Sequence, residues 1–578
     1  MDGKKKKEES MSGKVGKMIQ VLREGETRLL LNLPSEEQLE DSAEALCAES
    51  FPLKSLQINM NRKSEYAEET IRKLFEGISR CTPMPVLKLF LKVIPINLLK
   101  ELLEQIRKRR VASEISVEFE SSEENELMST LASSMNENEY VRKLELSQLK
   151  LVDTNARKIA EIVINSFLKD LAILAASDEA CSKSKATIFK AVEESRSLEC
   201  FSIECCNVQD CFLLESNKRL RKLSLSESSF GENDLKRLAH FLAHENSLSE
   251  LNLGDCELKE RIFSILEILQ EKKNFQSLDI RNNKLCGESA GKLAKFIQRN
   301  EHITDLNLGS NFLGKDAGLV IEAIRKNKTL TKIDLSDNFL KEEHAEKISE
   351  MLTQNRSITE IHMDDNNLEA GTLKIVSSLK ENTNLRVANF AACVSEYEGP
   401  KKELAELLEK NQVLTDLNLS FNSISEEEGN KIFESLCHNN SLKKLSVSYN
   451  FNSAVMDSLC KMIRSNSSLK EISTFVLLYL ADGQKLLDSL SENSSLTKLD
   501  FHYSPNAKHL RGKVERQLLL NRRWEEMDRE AKVVMMLLQR RRGSNLISQL
   551  PRRLLIYLLR FLDCARVDKY KSSAKLLF

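Results

Sequence analysis

Few residues in this chain stand where chemistry could be done. His240 and His244 lie four apart in LAHFLAHEN, a spacing that would put two imidazoles on one helix face as ligands of a metal ion. A zinc-protease helix also needs a Glu beside the first His. Here Phe241, Leu242 and Ala243 fill the interval, so the pair reads as an ordinary outer helix face. Cys200, Cys205, Cys206 and Cys211 form a cluster, but C-x4-C-C-x4-C lacks the CxxC pairs of a zinc site. No nucleophile elbow, phosphate-binding glycine loop or dinucleotide fingerprint is visible, and only 18 of the 578 residues are Gly. The expectation is a protein without catalytic residues, cofactor or metal.

What must position any site is a repeat. LNLGDCEL from Leu251 returns as LDIRNNKL from Leu278, LNLGSNFL from Leu306, IDLSDNFL from Ile333, IHMDDNNL from Ile361, LNLSFNSI from Leu417 and LSVSYNFN from Leu445. With Leu223, Ala388, Ile472 and Leu499 included, the anchors follow one another at steps of 27 to 29 residues. In such a pattern the two leucines around one residue occupy a short strand whose alternate side chains enter the core. The following Asn satisfies backbone groups that the turn would otherwise strand. Asn283, Asn311, Asn338, Asn366, Asn422 and Asn450 fill that slot, and Cys206, Cys256 and Cys393 replace it elsewhere. Between strands the chain reads as helix: after Gly287, Ala290, Leu293, Ala294 and Ile297 keep the three-and-four spacing of one buried face.

The LxxLxLxxNxL pattern at this period resembles leucine-rich repeats of the ribonuclease-inhibitor type, and also those of NLR-type receptors and Ran GTPase-activating proteins. The resemblance is strong over residues 220–502. It implies an α/β solenoid, a horseshoe with parallel strands inside and helices outside, ending in a helical C-terminal tail. Upstream, Leu31, Leu56, Leu89, Ile115, Leu144, Leu171 and Phe201 are anchors of worn repeats that mostly lack the Asn. The organisation read from the sequence is a basic, polar tail at 1–25, degenerate repeats at 26–220, regular repeats at 221–505 and a basic helical region at 506–578.

The charge is divided unevenly. From Asn506 onward the chain has 18 Lys or Arg and 7 Asp or Glu, a net of +11, leaving −12 on residues 1–505 of a chain whose formal net charge is −1. The absence of a long uncharged apolar run predicts no membrane-spanning helix. MDGKKKKEES does not look like a secretory leader, and 13 cysteines then read as reduced thiols of the cytosol, the nucleus being the other compartment open to a KKKK start.

Strand alternation gives the face that a partner would meet. Glu250, Asp305, Glu360 and Asp416 fall in the row before the anchors, Asp279, Asp334 and His362 between them, and Arg281 and Asp364 in the row after. Phe421 and Tyr449 fall at its rim, where aromatic residues act as anchors. The expected partner is a protein, with a basic one matching this acidic face, and no nucleic acid; no membrane span is expected, while the basic tail could meet the acidic horseshoe, an acidic partner or a lipid surface. Leu550 to Asp563, LPRRLLIYLLRFLD, resembles the opening of an F-box and the end of a SOCS box. That resemblance implies a ubiquitin-ligase linker contacted through Leu550, Pro551 and Leu554. The resemblance to Ran GTPase-activating proteins implies a small-GTPase regulator using an arginine in an early loop, for which Arg62 is the available position.

Overall fold

The computed structural model describes the segments 28–33, 55–60, 68–80, 86–90 and 100–104, a few isolated residues between them, and residues 113–526 apart from short gaps that include 206, 395–402 and 452. Arg62, Cys206, Leu550, Pro551 and Leu554 therefore lie outside the described residues. The chain divides into two compact units, Met1–Ile280 and Arg281–Phe578.

In Met1–Ile280 the strands are β1 (Arg28–Leu33), β2 (Ser55–Met60), β3 (Val86–Phe90), β4 (Glu114–Glu118), β5 (Lys143–Ser147), β6 (Asp170–Leu174), β7 (Cys200–Ile203), β8 (Lys222–Ser224), β9 (Glu250–Asn252) and β10 (Ser277–Asp279). Each pairs in parallel with the next. In Arg281–Phe578, β11 (Asp305–Asn307), β12 (Lys332–Asp334), β13 (Glu360–His362), β14 (Val387–Asn389), β15 (Asp416–Asn418), β16 (Lys444–Ser446), β17 (Glu471–Leu478) and β18 (Lys498–Tyr503) do the same. Parallel neighbours require a crossover, and in both units helices supply it. The architecture is an α/β leucine-rich repeat solenoid.

The register aligns Leu56 with Leu29 and Leu87, and then with Ile115, Leu144, Leu171, Phe201, Leu223 and Leu251. Leu31 and Leu89, the anchors expected from sequence, pair with Ile58 instead. The early strands are long enough to carry two apolar residues on one face. A shift of two leaves that face unchanged, so the pattern alone does not choose between them.

Helices bury one stripe each. In Glu288–Arg299 it comprises Ser289, Ala290, Leu293, Phe296 and Ile297, with Phe296 taking a place that the sequence pattern gave to Ala294. Ser425 starts the helix Glu426–Leu436 with a reciprocal box, its backbone N–H donating to Glu428 at 2.6 Å and its Oγ accepting from Glu428 N at 3.4 Å.

Two asparagine ladders fasten the repeats of Arg281–Phe578. In the first, just after the strands, Asn283 N donates to Asn311 Oδ1 at 2.9 Å, Asn311 N to Asn338 Oδ1 at 3.1 Å and Asn338 N to Asn366 Oδ1 at 3.1 Å. The amides of Asn338, Asn366, Asn422 and Asn450 also donate back to the preceding repeat, as Asn338 Nδ2 does to Leu308 O at 2.8 Å. At Cys393 the slot holds a thiol, which donates weakly to Met363 O at 3.1 Å but has no amide oxygen to offer. The ladder resumes as Cys393 N donates to Asn422 Oδ1 and Asn422 N to Asn450 Oδ1.

The second ladder, at the C-terminal ends of the helices, went unread in the sequence. Asn300, Asn327, Asn355, Asn382, Asn411, Asn439, Asn466 and Asn493 recur at the repeat period. Asn355 Nδ2 donates to Ile324 O and Asn327 O at 2.9 and 2.8 Å, while its Oδ1 accepts from the amides of Ser357 and Ile358. Asn521 extends the series into the helix Arg511–Glu526 through a 2.7 Å bond to Leu496 O. Among the described residues no helix is long and apolar enough to cross a membrane.

Asn338 is fully buried, and four backbone groups depend on its side chain. Asn338→Leu is expected to destabilise the chain by about 1–3 kcal/mol through stranded donors and acceptors. Denaturant titration read at several probes, because a repeat array need not unfold in one step, checks this. An unchanged midpoint and slope would show that the ladder carries no stability.

Candidate interaction face

The strand face of Arg281–Phe578 begins with constraints on its middle row. Asn307 Oδ1 accepts Gly309 N at 2.9 Å, Asp334 Oδ1 accepts Ser336 N at 2.9 Å, Asn389 Oδ1 accepts Ala391 N at 3.2 Å and Asn418 Oδ1 accepts Ser420 N at 3.0 Å. These are Asx turns, in which a short polar side chain takes the backbone amide two residues on. They explain why Asn and Asp recur between the anchors, and they commit one oxygen of Asp334. In Met1–Ile280, Asn252 makes the same bond to Gly254.

The row after the anchors is less open than strand alternation implies. Ser420 and Ser448 are buried, and a Cβ at Gly309 would stand 3.2 Å from Ser336 Oγ and 3.3 Å from Asn307 Oδ1. The turn folds this row against the neighbouring repeat, which admits only small residues at several positions. Arg281 and Asp364 keep partial exposure there.

The row before the anchors is joined by cross-strand ion pairs. Lys332 Nζ lies 3.2 Å from Glu360 Oε1 and Lys444 Nζ 3.6 Å from Glu471 Oε1. In Met1–Ile280, Lys222 pairs with Glu250 at 3.6 Å, and Asp279 is half-buried. Asp305 is also half-buried and engaged with its surroundings. Asp416 has no ion-pair partner within 4.0 Å among the described residues.

Around His362 the charges interact closely. A 2.9 Å hydrogen bond joins His362 Nε2 to Glu360 Oε1. Burial opposes the charge on Glu360, but the bonds from His362 and Lys332 outweigh it and hold its carboxyl below the usual range. Asp364 and Asp416 go the other way. Burial, aided for Asp364 by Asp334 and Asp365 and for Asp416 by Glu471 and Glu360, raises both above the usual carboxylate range. This happens although Asp364 Oδ1 accepts Asn389 Nδ2 at 2.6 Å. Burial is the largest cause at both, so the charged form of each carboxyl is disfavoured where it stands.

Aromatic residues lie beside it. Phe421 and Tyr449 stack at 4.3 Å with their planes 14° apart, and are 52% and 54% exposed. The stack continues through Phe475, 4.5 Å from Tyr449, to His502, 3.8 Å further and edge-on. Phe475 sits at the register shift between Ser473 and Leu477 of β17, a bulge that re-aims its side chain. Phe312 and Phe339 form another exposed stack at 5.5 Å. Phe339 and Phe421 also border one depression of ≈ 430 Å³, together with Asp365, Ala392 and Cys393.

Phe312, Phe339, Phe475 and His502 were not singled out from the sequence. The first two were signalled by SNFL and DNFL, where a bulky ring follows the ladder Asn. Phe312, Phe339, Phe421, Tyr449 and Phe475 all have φ between 51° and 59°. Bulky residues pay about 1 kcal/mol or more for that left-handed backbone.

His240 and His244 touch at 4.1 Å between ring centroids, and His244 Nδ1 is 2.7 Å from His240 O, which occupies one nitrogen. Cys200, Cys205 and Cys211 form no disulfide, and among the described residues no group of three or more His, Cys, Asp or Glu could hold a metal ion. Burial pushes the thiols of Cys256 and Cys393 up to about 12, far from a nucleophile's range.

Neither a protein-family profile nor a curated protein sequence matches the chain. Among solved structures it is similar to the leucine-rich repeat-containing protein LegL7 of Legionella pneumophila, at 18% identity over 50% of this chain and 90% of that one, with a TM-score of 0.33. It is similar also to a tropomodulin C-terminal domain of Caenorhabditis elegans, at 21% identity over 25% and 90% of the two chains with a TM-score of 0.22. Leiomodin-1 actin-binding site 2 gives 13% identity over 34% and 95% with a TM-score of 0.22. Each likeness spans half of this chain or less.

The raised carboxyl of Asp416 has a consequence for stability. Its proton is held more tightly in the folded than in the unfolded chain, so the native state loses stability as pH rises through the carboxylate range. Asp416→Asn is expected to raise the melting temperature at neutral pH. The difference should vanish below the ordinary carboxylate range, where the parent is protonated in both states. Thermal melts of the two proteins across that range test it; a variant less stable at neutral pH would contradict the assignment.

Proposed function

We propose that this chain is a non-enzymatic protein-interaction scaffold whose strand face in Arg281–Phe578 receives a basic segment of a protein partner. The observation that carries the reading is the pair Asp364 and Asp416, half-buried carboxylates held above their usual range on an outward face. A cationic group entering there would stabilise the charged carboxylates that burial disfavours. Functional surfaces commonly store such instability, because the partner supplies the missing charge.

The variant Asp334→Asn/Asp364→Asn/Asp416→Asn separates this face from the rest. Asn at 334 keeps the Asx turn, since Asn307, Asn389 and Asn418 make the same bond in other repeats. Glu360 is left in place because its removal would strand Lys332. Full-length parent and variant are immobilised, and the partners captured from cytosol are titrated at low and high salt. The variant is expected to bind about ten-fold more weakly at low salt and to show a flatter salt dependence, as the loss of several partly desolvated charge pairs implies. Equal affinity and equal salt dependence would move the partner site off this face.

A further inference from the structure

The slot immediately before the ladder residue takes left-handed backbone in the repeats from Glu227 to Tyr449, and several fill it with small polar residues: Asn282, Ser310, Asp337 and Asp365. In the later repeats the same slot holds Phe421 and then Tyr449. These rings are more than half exposed, so core packing does not account for them. The bulge in β17 brings Phe475 onto the same stack, and His502 closes it. A strained backbone that presents consecutive rings to solvent is a feature that folding alone does not select.

We propose that this ladder is the apolar anchor for a basic amphipathic helix of the partner. The inference rests on the reading of the acidic strand face as the site of a cationic partner, and adds the chemistry of its apolar side. Asp416 precedes Phe421 by five residues in the same repeat, and Asp365 borders the same surface depression as Phe421, so acidic residues of these repeats accompany the exposed rings. Ring to ring, the ladder extends at most about 13 Å from Phe421 to His502. That is roughly two and a half turns of helix at 5.4 Å per turn, enough for apolar residues at i, i+3 or i+4, and i+7. Because Phe421 and Tyr449 cover one another's faces, they offer ring edges, which pack against aliphatic side chains rather than bind cations over a face. The cationic residues of the helix are thereby directed to the carboxylates and its leucines to the rings.

The slot itself supplies a variant that keeps the fold. Phe421→Asn/Tyr449→Asn installs the residue that Asn282 already places there, in a backbone conformation that Asn prefers, so its denaturation midpoint should equal or exceed the parent's. The probe is a fluorescent 18-residue peptide of Leu and Lys patterned as an amphipathic helix, with a scrambled peptide of equal composition as control, titrated into the full-length chain. The expected result is that the parent prefers the amphipathic peptide, and that the double variant weakens it at least ten-fold while keeping the parent's salt dependence. If the double variant binds as the parent does, or the scrambled peptide binds equally, the ladder is not an anchor, whatever the acidic face does. If the Asp334→Asn/Asp364→Asn/Asp416→Asn variant binds with undiminished affinity and salt dependence while the ring variant fails, the ladder stands and the acidic reading falls. Binding only by peptides without basic residues would overturn the helix chemistry proposed here.

Discussion

The side-chain amide of asparagine, used as a backbone substitute, is the interaction on which the repeats of Arg281–Phe578 depend. Stacking parallel strands satisfies the strand amides but leaves the turn at each end with groups that point at no ladder partner. An Asn on one side of the strand, such as Asn338, and an Asn on the other, such as Asn355, each donate to the preceding repeat and accept from backbone N–H groups. Both are buried, where an unmade hydrogen bond is most costly. The geometry admits few substitutes, and the thiol of Cys393 shows the limit: it retains a donor and loses the acceptor.

Once those amides fix the repeat-to-repeat distance, the residues between them are released from structural duty to different degrees. The middle row is half committed, since Asn307, Asp334, Asn389 and Asn418 close Asx turns with one oxygen. The row before the anchors is free to alternate Lys with Glu across strands, as Lys332–Glu360 and Lys444–Glu471 do. Departures from that neutral pattern therefore stand out. Asp364 and Asp416 are charged where burial opposes charge, and Phe421 and Tyr449 are bulky where the backbone opposes bulk. Both features cost stability without serving the fold, and on them the proposed recognition face rests.

The residue types that suggest chemistry in isolation are absorbed by the architecture. Cys256 and Cys393 stand in the asparagine slot, buried and hydrogen-bonded to the carbonyls of Leu225 and Met363. His240 and His244 end a helix and spend one contact on each other and one on a carbonyl.

The sequence by itself determined the period, the parallel solenoid, the strand residues that enter the core and the asparagine slot, because each of these repeats every 27 to 29 residues and is set by local alternation and turn chemistry. The second asparagine series was equally legible, from Asn300 to Asn493, being just as periodic. The register of the early strands was not, since Leu29 and Leu31 fall on the same face and only pairing with Leu56 chooses between them. Nor was the state of the surface. Phe421, Tyr449, Phe475 and His502 lie 26 to 28 residues apart in the chain and meet within 5 Å because neighbouring strands are laid side by side, with a bulge turning one ring into line. Whether a carboxylate such as Asp416 is compensated depends on which charges the adjacent repeats bring near it and how much water they exclude, and that is decided only in the tertiary structure.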